Sequence, residues 1–386
     1  MNFSKAMKAA VIIFTGAIAA AGLTACGGIK TAADSPSKSG VKVGFIAALT
    51  GGAAAYGKSQ EEGIRMAVEE INQKGAIPIE LFVEDSKGSP SDAMNVTKRL
   101  IQKKAAVIIG PMTSNEAKAA GPIMQNAKIP SLEISVTAEG ITEIGDYIFR
   151  NSVPESMNIP QTAKKTLRLL GYETAAILYA HDNEQHVTAQ KYFRKTLEEE
   201  GVKIVDVETF GSKDSEYSAQ LTNIENAKPD VVIVCSYYQE GARILKKMRE
   251  MGMNQPVLGD NGFVSPELGK MADAAADNVY VSSMWSAARD TAATKTFVEN
   301  YTKKYGHAPD QFAAAAYDGV YMAMDAVQRA GSVTDTRKIR DAMAEMKGFN
   351  GVCGTFSFDD KRDPVVDLVL LKMEDGVFLA VGKQSS

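Results

Sequence analysis

The sequence has little of the material from which metal sites and nucleophilic active sites are built. Its 386 residues include three histidines and three cysteines. No G-x-S-x-G, H-E-x-x-H or G-x-x-x-x-G-K-[ST] motif occurs, so the common signatures of serine hydrolases, zinc proteases and P-loop proteins are missing. Cys235 and Cys353 lie far apart, and the apolar run around Cys235 favours a buried free thiol. We therefore expect neither a metal ion nor a cofactor.

Basic clusters are also missing. The formal net charge is −4 at pH 7, and no group of lysines and arginines is interleaved with aromatic residues, as a nucleic-acid-binding groove would need. The chain has no low-complexity tract, and its residues are 45% hydrophobic and 23% charged. This composition is typical of a globular protein, and the length is sufficient for two domains with separate cores.

The N-terminus has the features of an export signal. Lys5 and Lys8 form a short positive region before the apolar segment Ala9–Gly22, which is too short to span a bilayer comfortably. Leu23 to Ala25 then lead to Cys26, an arrangement that resembles the bacterial lipobox, in which the cysteine is lipidated. The alternative is an ordinary signal peptide, cleaved near the same point, with Cys26 a bystander. We expect lipidation at Cys26, followed by a flexible tether.

The chain beyond the tether opens with a strand, a glycine-rich loop and a helix. Val41–Leu49 is a nearly continuous apolar run, as expected of a parallel strand covered on both faces. Thr50–Gly57 breaks that run, and from Glu61 apolar residues recur with helical spacing. Open α/β sheets bind ligands at such loops. The glycine spacing does not fit a phosphate loop, so we expect the backbone to pass close beneath a small ligand, with Tyr56 as one wall.

Strands and helices then alternate in two successive series, which predicts βαβ units and parallel sheets. The strands of the first series are predicted at 41–49, 79–85, 106–110, 129–134 and 147–150, and those of the second at 175–179, 203–209, 231–235, 256–259 and 279–282. Intervening helices include 116–126, 160–170 and 187–200. The C-terminal part is predicted to complete the two sheets, with helices at 292–305, 312–330 and 337–346 and strands at 351–359, 365–373 and 377–381.

Polar and aromatic side chains recur at the carboxyl ends of these strands in both series. They occur at Thr50–Tyr56, Thr113–Asn115, Ser135–Thr137, His181–Asn183, Ser236–Tyr238 and Asp260–Asn261. Any one group could be an ordinary cap or turn, but their coincidence at so many strand ends favours a ligand-binding cleft. Ser114 also stands beside a helix N-terminus, where free N–H groups attract an anion such as a carboxylate.

Several short motifs, in this order and spacing, resemble one protein family. They are the lipobox, T-G-x-x-A-x-x-G at 50–57, G-x-x-x-S at 110–114, S-V-T at 135–137, A-Y-D at 316–318 and G-x-x-G-x-x-x-F-D at 351–359. Each is weak alone. Together they resemble the branched-chain amino-acid class of ABC-transporter substrate-binding proteins, the Leu/Ile/Val-binding proteins. The resemblance covers essentially the whole chain after Cys26.

The resemblance implies an α/β architecture, the type I periplasmic-binding-protein fold. Two Rossmann-like lobes with parallel central sheets are joined by a three-strand hinge and close on a ligand. The crossings are expected near Pro154, Ser283 and Asp363. The expected division is a signal peptide at 1–25, a tether at 26–40, lobe 1 at 41–154 and 284–362, and lobe 2 at 155–283 and 363–386.

The resemblance also implies where a ligand binds. Residues matching Ser114 and Thr137 hold the carboxylate of an amino acid, and the Ser135 carbonyl and Thr137 hydroxyl help to hold its ammonium. Tyr56 and Tyr237 line the cleft from opposite lobes. The complete set of expected ligand-binding residues is Tyr56, Ser114, Asn115, Ser135, Val136, Thr137, His186, Tyr237, Asp260 and Asn261.

Several positions depart from the family pattern. Asn261 stands where leucine-specific and branched-chain-specific members have a glutamate for the ammonium, and Asp260 is beside it. A charge-assisted hydrogen bond is roughly twice as strong as a neutral one, so recognition of the amine depends on whether Asp260 turns in. His186 replaces a usual aromatic residue, and Ser86 and Thr113 stand where the family has an early disulfide. These differences favour a more polar ligand than leucine.

We expect an exported, monomeric, lipid-anchored receptor at the bacterial cell membrane, either on the extracellular face or in the periplasm. It would deliver an amino-acid-like ligand to an ABC permease, without covalent chemistry and without nucleic acid as a partner. One alternative is a sensor of the same fold that reports the ligand to a signalling partner. Another is an exported α/β enzyme that uses His181 or His186, although the sequence favours surface or loop-end positions for both histidines.

Overall fold

The computed structural model describes residues 40–75 and 77–382. The predicted signal peptide, the lipobox with Cys26 and the tether before residue 40 therefore lie outside the described residues. Strands and helices alternate through the described part, as predicted, and form two large sheets and a small one. No helix in this part combines the length and the apolar character that crossing a membrane would need.

The first sheet has five parallel strands in the order β2-β1-β3-β4-β5. They are β1 (Val41–Ala47), β2 (Ile79–Asp85), β3 (Val107–Ile109), β4 (Ser131–Glu133) and β5 (Ile148–Arg150). The connecting helices are α1 (Ala54–Lys74), α2 (Pro90–Gln102) and α3 (Ser114–Ala127). Phe45 packs in one core with Ile64 of α1, whereas its neighbour Ile46 packs in another with Leu100 of α2. Because both faces are covered, the strands are apolar without alternation.

The second sheet has seven strands in the order β15-β14-β10-β9-β8-β6-β7. Its parallel strands are β6 (Thr174–Ala180), β7 (Lys203–Phe210), β8 (Val231–Cys235), β9 (Val257–Gly259) and β10 (Val279–Ser283). The antiparallel hairpin of β14 (Val369–Glu374) and β15 (Val377–Ala380) extends one edge and turns at Asp375 and Gly376. Its helices are α4 (Glu155–Leu170), α5 (Glu184–Glu199), α6 (Ser218–Ala227), α7 (Tyr238–Glu250) and α8 (Pro266–Ala272).

The C-terminal part completes the second sheet but not the first. After α9 (Ala292–Tyr305), α10 (Gln311–Ala330) and α11 (Thr336–Ala344), three short strands pair only with one another. They are β11 (Phe349–Gly351), β12 (Gly354–Phe358) and β13 (Pro364–Val365). The expectation that all tail strands extend the two main sheets was therefore wrong for these strands. They form a local hairpin whose Phe356 and Phe358 pack into the core of the first sheet.

The buried Asp318 explains two of the short motifs. Its carboxylate accepts hydrogen bonds from the backbone N–H groups of Val352 and Cys353, each at 2.8 Å. A Cβ atom on Gly351 would lie 2.3 Å from the same carboxylate, so a side chain there would clash. Burial raises the pKa of Asp318 to about 6. The A-Y-D and G-x-x-G motifs are thus two halves of one contact between α10 and the β11–β12 hairpin.

Three helices begin at least three residues earlier than predicted. Helix α1 begins at Ala54 rather than Glu61, α4 at Glu155 rather than Pro160, and α5 at Glu184 rather than Val187. Their first turns lack the apolar periodicity on which the predictions relied. Those turns carry Tyr56, Glu155 and His186, which are all buried. The early turns therefore belong to the candidate site rather than to the surface loops.

The chain passes between the two main sheets after β5, after β10 and between β12 and β14. Arg150 at the first crossing binds Asp363 at the third through two hydrogen bonds, of 2.6 Å from Nε and 3.0 Å from Nη2. At the second crossing the buried Trp285 packs edge-on against Phe297 of α9, and its backbone N–H donates to the Ser283 hydroxyl at 3.1 Å. The division into lobes with the bounds given above stays a prediction.

Candidate functional site

The candidate site lies where loops after strands of both sheets come together. The Tyr56 hydroxyl, from the helix after β1, donates to the Gly262 carbonyl and accepts from the Tyr238 backbone N–H at 2.9 Å. Gly262 follows β9 and Tyr238 begins α7 after β8. Burial raises the pKa of Tyr56 well above its ordinary value. Tyr56 thus joins the first sheet to the second through a neutral, buried phenol.

Aromatic rings surround this contact. The Tyr56 ring lies 5.6 Å from that of Tyr237 and 4.7 Å from that of Phe312, at the start of α10. The Tyr237 ring in turn lies 4.7 Å from the imidazole of His186, edge to face. These contacts place Tyr56 and Tyr237 together, as expected, and add Phe312, which the sequence did not single out.

Three hydroxyls from the first sheet lie at the same end. Ser114 is the first residue of α3, and its Oγ accepts from the Ala138 N–H at 3.2 Å. The Ser135 hydroxyl donates to the Met112 carbonyl at 2.7 Å and accepts from Gln60 Nε2 at 2.8 Å. The Thr137 hydroxyl donates to Glu155 Oε1 at 3.0 Å. All three are buried, so the structure brings together the hydroxyls that the sequence predicted.

A buried acidic pair faces these hydroxyls. Glu155 and Asp260 are fully buried, and the Glu155 pKa is raised well above its usual value by burial and then by the nearby Asp260 carboxylate. Hydrogen bonds to Glu155 from Thr137 and from the Asn261 backbone oppose that rise. Asp260 Oδ2 lies 2.6 Å from His186 Nδ1, and Asp260 Oδ1 accepts from the Gly262 N–H at 3.0 Å. Asp260 is therefore turned inward.

Glu155 is a charged site residue that sequence reasoning missed. In the sequence, it resembles an ordinary acidic residue in the first turn of a helix. Its helix was also predicted to begin later. The available signal was its position directly after Pro154, where the first crossing was expected. The structure buries this carboxyl group in the candidate site rather than exposing it to solvent.

Asn261 occupies the place between the acidic pair and α10. Its backbone N–H donates to Glu155 Oε1 at 3.4 Å, and its side-chain Oδ1 accepts from Gln311 Nε2 at 2.7 Å. The Gln311 carbonyl oxygen accepts from the Ser283 hydroxyl at 2.8 Å. The amide of Asn261 is thus fixed by a chain of polar contacts that ends at the second crossing.

Asn115 and Val136 are placed differently from the rest of the predicted set. Asn115 donates to the Asp182 carbonyl at 3.1 Å and accepts from the Glu184 N–H at 2.9 Å, so it bridges α3 and the start of α5 at the rim. Val136 is completely buried and packs in the core behind the first sheet with Ile46. Its polar contact is made by the backbone carbonyl and not by the side chain. This carbonyl accepts a hydrogen bond from the Ser152 hydroxyl at 2.7 Å.

Two small cavities lie inside the site and share Ser135, Asn261 and Phe312. The tyrosine cavity is lined by Tyr56, Met112, Thr113, Ser135, Gln185, Tyr237, Asn261, Gly262 and Phe312. The crossing cavity is lined by Ile134, Ser135, Ser152, Val153, Asn158, Asn261, Ser282, Met284, Gln311, Phe312, Ala315 and Leu368. Each has an internal volume of about 10 Å³, roughly enough for one water molecule. Neither cavity is therefore large enough for an amino acid.

The glycines of the first loop are explained by backbone packing. Gly51 has a left-handed φ of +86° and lies against the Lys87 carbonyl, and a Cβ atom on Gly57 would lie 2.0 Å from the Ala48 carbonyl oxygen. Gly52 has only the Gln239 side chain nearby, at 3.7 Å. The loop is therefore folded against its own strand, and Tyr56 is the part of it that lines the tyrosine cavity.

The two histidines considered for catalysis are not together. His181 is exposed at the end of β6, whereas His186 is buried against Asp260. Within residues 40–75 and 77–382, no group of His, Cys, Asp and Glu side chains has an arrangement that could hold a metal ion. The chemistry that the site offers is hydrogen bonding and charge, from neutral hydroxyls and amides beside two carboxyl groups.

Comparison with known proteins agrees with this architecture. The family model described as periplasmic binding protein matches residues 40–376. A leucine-, isoleucine-, valine-, threonine- and alanine-binding protein from Pseudomonas aeruginosa is 24% identical over 328 residues, covering 84% of this chain and 87% of that relative.

Solved structures show the same fold. A leucine-binding protein, LivK, from Thermotoga maritima has a TM-score of 0.85 at 27% identity, over 89% of this chain and 98% of that one. LivJ from Streptococcus pneumoniae, in complex with isoleucine, has a TM-score of 0.83 at 30% identity, over 88% and 98% of the two chains. A solute-binding protein from R. palustris in complex with benzoate shares the fold, with a TM-score of 0.82 at 24% identity over 89% and 96%.

These matches confirm the predicted fold class and the predicted resemblance. Proteins of this family are exported solute receptors of ABC transporters, not a family of enzymes. The chain belongs to the periplasmic binding protein family, in the branched-chain amino-acid class of ABC-transporter substrate-binding proteins.

Proposed function

We propose that the cleft binds a free α-amino acid, with the carboxylate at Ser114 and Thr137 and the ammonium at Glu155 and Asp260. The observation that carries this proposal is the buried acidic pair. Two carboxyl groups lie in one site with His186 as the basic group in contact with Asp260. Burying charge without a partner is costly, so a site of this kind is suited to a ligand that brings a positive group.

The carboxylate end of the ligand is proposed to lie at the start of α3. A helix N-terminus carries free N–H groups and the positive end of the helix dipole, which together favour an anion. Ser114 stands at this end and Thr137 lies nearby on the loop after β4. The hydrogen-bond partners of the two hydroxyls are the Ala138 N–H and the Glu155 carboxyl group, so neither hydroxyl is engaged by a lysine or arginine among the described residues. A ligand carboxylate at this position would therefore be held by neutral donors.

The ammonium end is proposed to lie between Glu155 and Asp260. Asn261, at the position where the resemblance implies a glutamate, cannot provide a charge, and the two neighbouring carboxyl groups supply it instead. Thr137 connects the two ends, because its hydroxyl contacts Glu155 at 3.0 Å. Tyr56, Ser135, His186, Tyr237 and Asn261 complete the proposed binding residues.

The relatives support a transport role in which the two lobes close on the amino acid and present it to an ABC permease. We extend this to a monomeric receptor that performs no covalent chemistry and is held at the membrane by a lipid on Cys26. Replacing Cys26 with serine should release the protein from membranes, as measured by fractionation, without changing ligand affinity. Continued membrane association of this variant would rule out lipid anchoring at Cys26.

The binding proposal can be tested by calorimetry and thermal shift with free amino acids and their N-acetyl derivatives. A ligand that binds only the folded protein raises the melting temperature. We expect stabilisation by free amino acids and none by N-acetyl amino acids or benzoate. Ser114→Ala with Thr137→Ala, and separately Glu155→Gln, should abolish binding.

The matched control is Ser218→Ala with Thr222→Ala, which removes two hydroxyls on α6, away from the cleft. It should bind like the wild type. Unchanged affinity in the Ser114 and Thr137 double variant would rule out these two residues as the binding site of the ligand carboxylate. Equal binding of acetylated and free amino acids would remove the ammonium assignment.

A further inference from the structure

We infer that the side chain of the ligand is polar and uncharged, of the asparagine, glutamine, serine or threonine kind, and that Gln185 and Asn158 select it. This inference rests on the proposed amino-acid site and adds to it the chemistry of the side chain. It depends on two buried amides whose hydrogen-bonding capacity is incomplete.

The side-chain amide of Gln185 is a hydrogen-bond donor without an acceptor in the tyrosine cavity, among the described residues. It lies in the first turn of α5, beside His186, and is 3% exposed. Its Nε2 has no hydrogen-bond partner among the described residues, and the side chain lines the tyrosine cavity with Tyr237 and Asn261. A buried donor without a partner is destabilising. An oxygen on the ligand would satisfy it.

The side-chain oxygen of Asn158 is a hydrogen-bond acceptor without a donor in the crossing cavity, among the described residues. It lies one turn after Glu155 on α4 and is 3% exposed. Its Nδ2 donates to Glu155 Oε2 at 3.3 Å, but its Oδ1 has no partner among the described residues. The side chain lines the cavity with Asn261 and Gln311. A hydroxyl or N–H on the ligand would satisfy this oxygen.

The two cavities share central residues but are otherwise lined by different side chains. Ser135, Asn261 and Phe312 border both, while Gln185 borders one and Asn158 the other. A ligand side chain that extends into either cavity therefore meets a buried amide with a missing partner. A carboxamide or a hydroxyl, which can both donate and accept, suits either position.

The cavity linings argue against a charged side chain. Among the described residues, no Asp, Glu, Lys, Arg or His lines either cavity. A ligand carboxylate would have no cation there, and a ligand cation would leave the Gln185 donor without an acceptor. An aliphatic side chain would leave both amides unsatisfied, and a site built to form hydrogen bonds rejects analogues that cannot make them.

The test is a calorimetric titration of the full-length protein with glutamine, asparagine, serine and threonine, and with leucine, isoleucine and valine. The best polar ligand is expected to bind at least about ten-fold more tightly than the best aliphatic one, since a buried unpaired amide costs that much or more. Gln185→Leu and Asn158→Leu keep the size of the side chain and remove the amide. At least one of them should reduce the polar-to-aliphatic affinity ratio by about ten-fold.

Asn151 provides a matched control. It is also a buried amide with an unpartnered Oδ1, but it donates to the Ala315 carbonyl and lines neither cavity. Asn151→Leu should lower stability without changing the affinity ratio. If a leucine variant does not fold, Gln185→Met and Asn158→Met replace it, with circular dichroism to check the fold.

Two results would overturn the inference while leaving the amino-acid site in place. One is a wild-type preference for leucine, isoleucine or valine, or for a charged amino acid. The other is an affinity ratio that neither Gln185 nor Asn158 variants change. If no free amino acid binds at all, the proposed function fails instead, and the thermal-shift screen separates that outcome from the first two.

Discussion

His186 and Asp260 form a contact that joins α5 to the loop after β9, with Nδ1 of the imidazole 2.6 Å from Oδ2 of the carboxylate. Their side chains are 1% and 0% exposed, respectively. The hydrogen bonds of the Asp260 carboxylate must therefore come from a small number of protein groups, because water does not reach it. Breaking such a buried pair from one side leaves a charge or a dipole without a partner.

We predict that His186→Leu destabilises the protein by about 3 kcal/mol, the usual cost of removing one partner from a buried pair. Urea unfolding would measure the change. His181→Leu is the control: this histidine is exposed, and surface changes usually stay within about 0.5 kcal/mol. Adding Asp260→Asn to His186→Leu should recover part of the loss. Additive losses in the double variant would show that the two side chains do not interact.

We predict that Glu155 makes the unliganded protein less stable as the pH rises. Because its pKa in the folded protein lies above the ordinary value of 4.5, the folded chain holds a proton that the unfolded chain has released. The stability from this group is full below pH 4.5 and is lost as the pH rises through the raised pKa. The free energy of unfolding of the wild type minus that of Glu155→Gln should therefore fall, by up to about 1.4 kcal/mol per pH unit.

Amino-acid affinity should have the opposite pH dependence. A ligand ammonium favours the charged form of Glu155, so binding releases its proton and becomes tighter as the pH rises. Calorimetry in buffers with different ionisation enthalpies would detect the released proton.

The hypothesis that Glu155 has a raised pKa in the folded protein also has a direct test in stability. It fails if wild type and Glu155→Gln have parallel curves of unfolding free energy between about pH 5 and about pH 8.

We predict that Asn115 stabilises the closed arrangement rather than the fold. Its amide makes two hydrogen bonds to the backbone of 182–184 and so links the first-sheet part of the rim to the second. Asn115→Leu should weaken ligand affinity by about five- to thirty-fold, the contribution of two hydrogen bonds of about 0.5–1 kcal/mol each, while the stability of the unliganded protein changes little.

Asn223 offers the comparison for Asn115. It contacts Glu208 within the second-sheet part, at 2.8 Å, and is exposed. Asn223→Leu should leave ligand affinity unchanged. An equal loss of affinity in both variants, or a loss of stability in Asn115→Leu that matches its loss of affinity, would contradict a role in closure.

We predict that Gly57→Ala destabilises the protein by at least about 2 kcal/mol, because a new Cβ atom would press on backbone that cannot yield without moving β1. That atom would lie 2.0 Å from the Ala48 carbonyl oxygen. Gly52→Ala is the control: a Cβ atom there would meet only the Gln239 side chain, at 3.7 Å, and the substitution should change stability by less than about 0.5 kcal/mol. Thermal unfolding of the two variants checks both values, and equal effects would show that the loop glycines are not fixed by packing.

The strands could be predicted from sequence because parallel strands covered on both faces must be apolar. β2 and β8 have the predicted bounds, 79–85 and 231–235. The helix N-termini were harder, since the first turns of α1, α4 and α5 face the cleft and carry polar or aromatic residues instead of an apolar stripe. Periodicity alone therefore placed the start of these helices too late.

The candidate site could be predicted only in part. Ser114, Thr137, Tyr56 and Tyr237 follow strands, and the rule that ligands bind at strand carboxyl ends locates them together. Glu155 was not found, because its partners Thr137 and Asn261 lie 18 and 106 residues away along the chain. Nor does sequence reveal that Gln185 and Asn158 each lack a partner, since that follows from what surrounds them in the folded protein.

The position of Trp285 gives this receptor a built-in optical probe. The chain has one tryptophan, and that residue lies at the second crossing, fastened to Ser283 and packed against Phe297. All indole emission therefore originates at the second crossing between the two sheets. Ligand titrations can be followed by intrinsic fluorescence without a label. If ligand binding turns the sheets about this crossing, as the family resemblance implies, the wavelength and intensity of that single emitter report the rotation separately from the heat of binding.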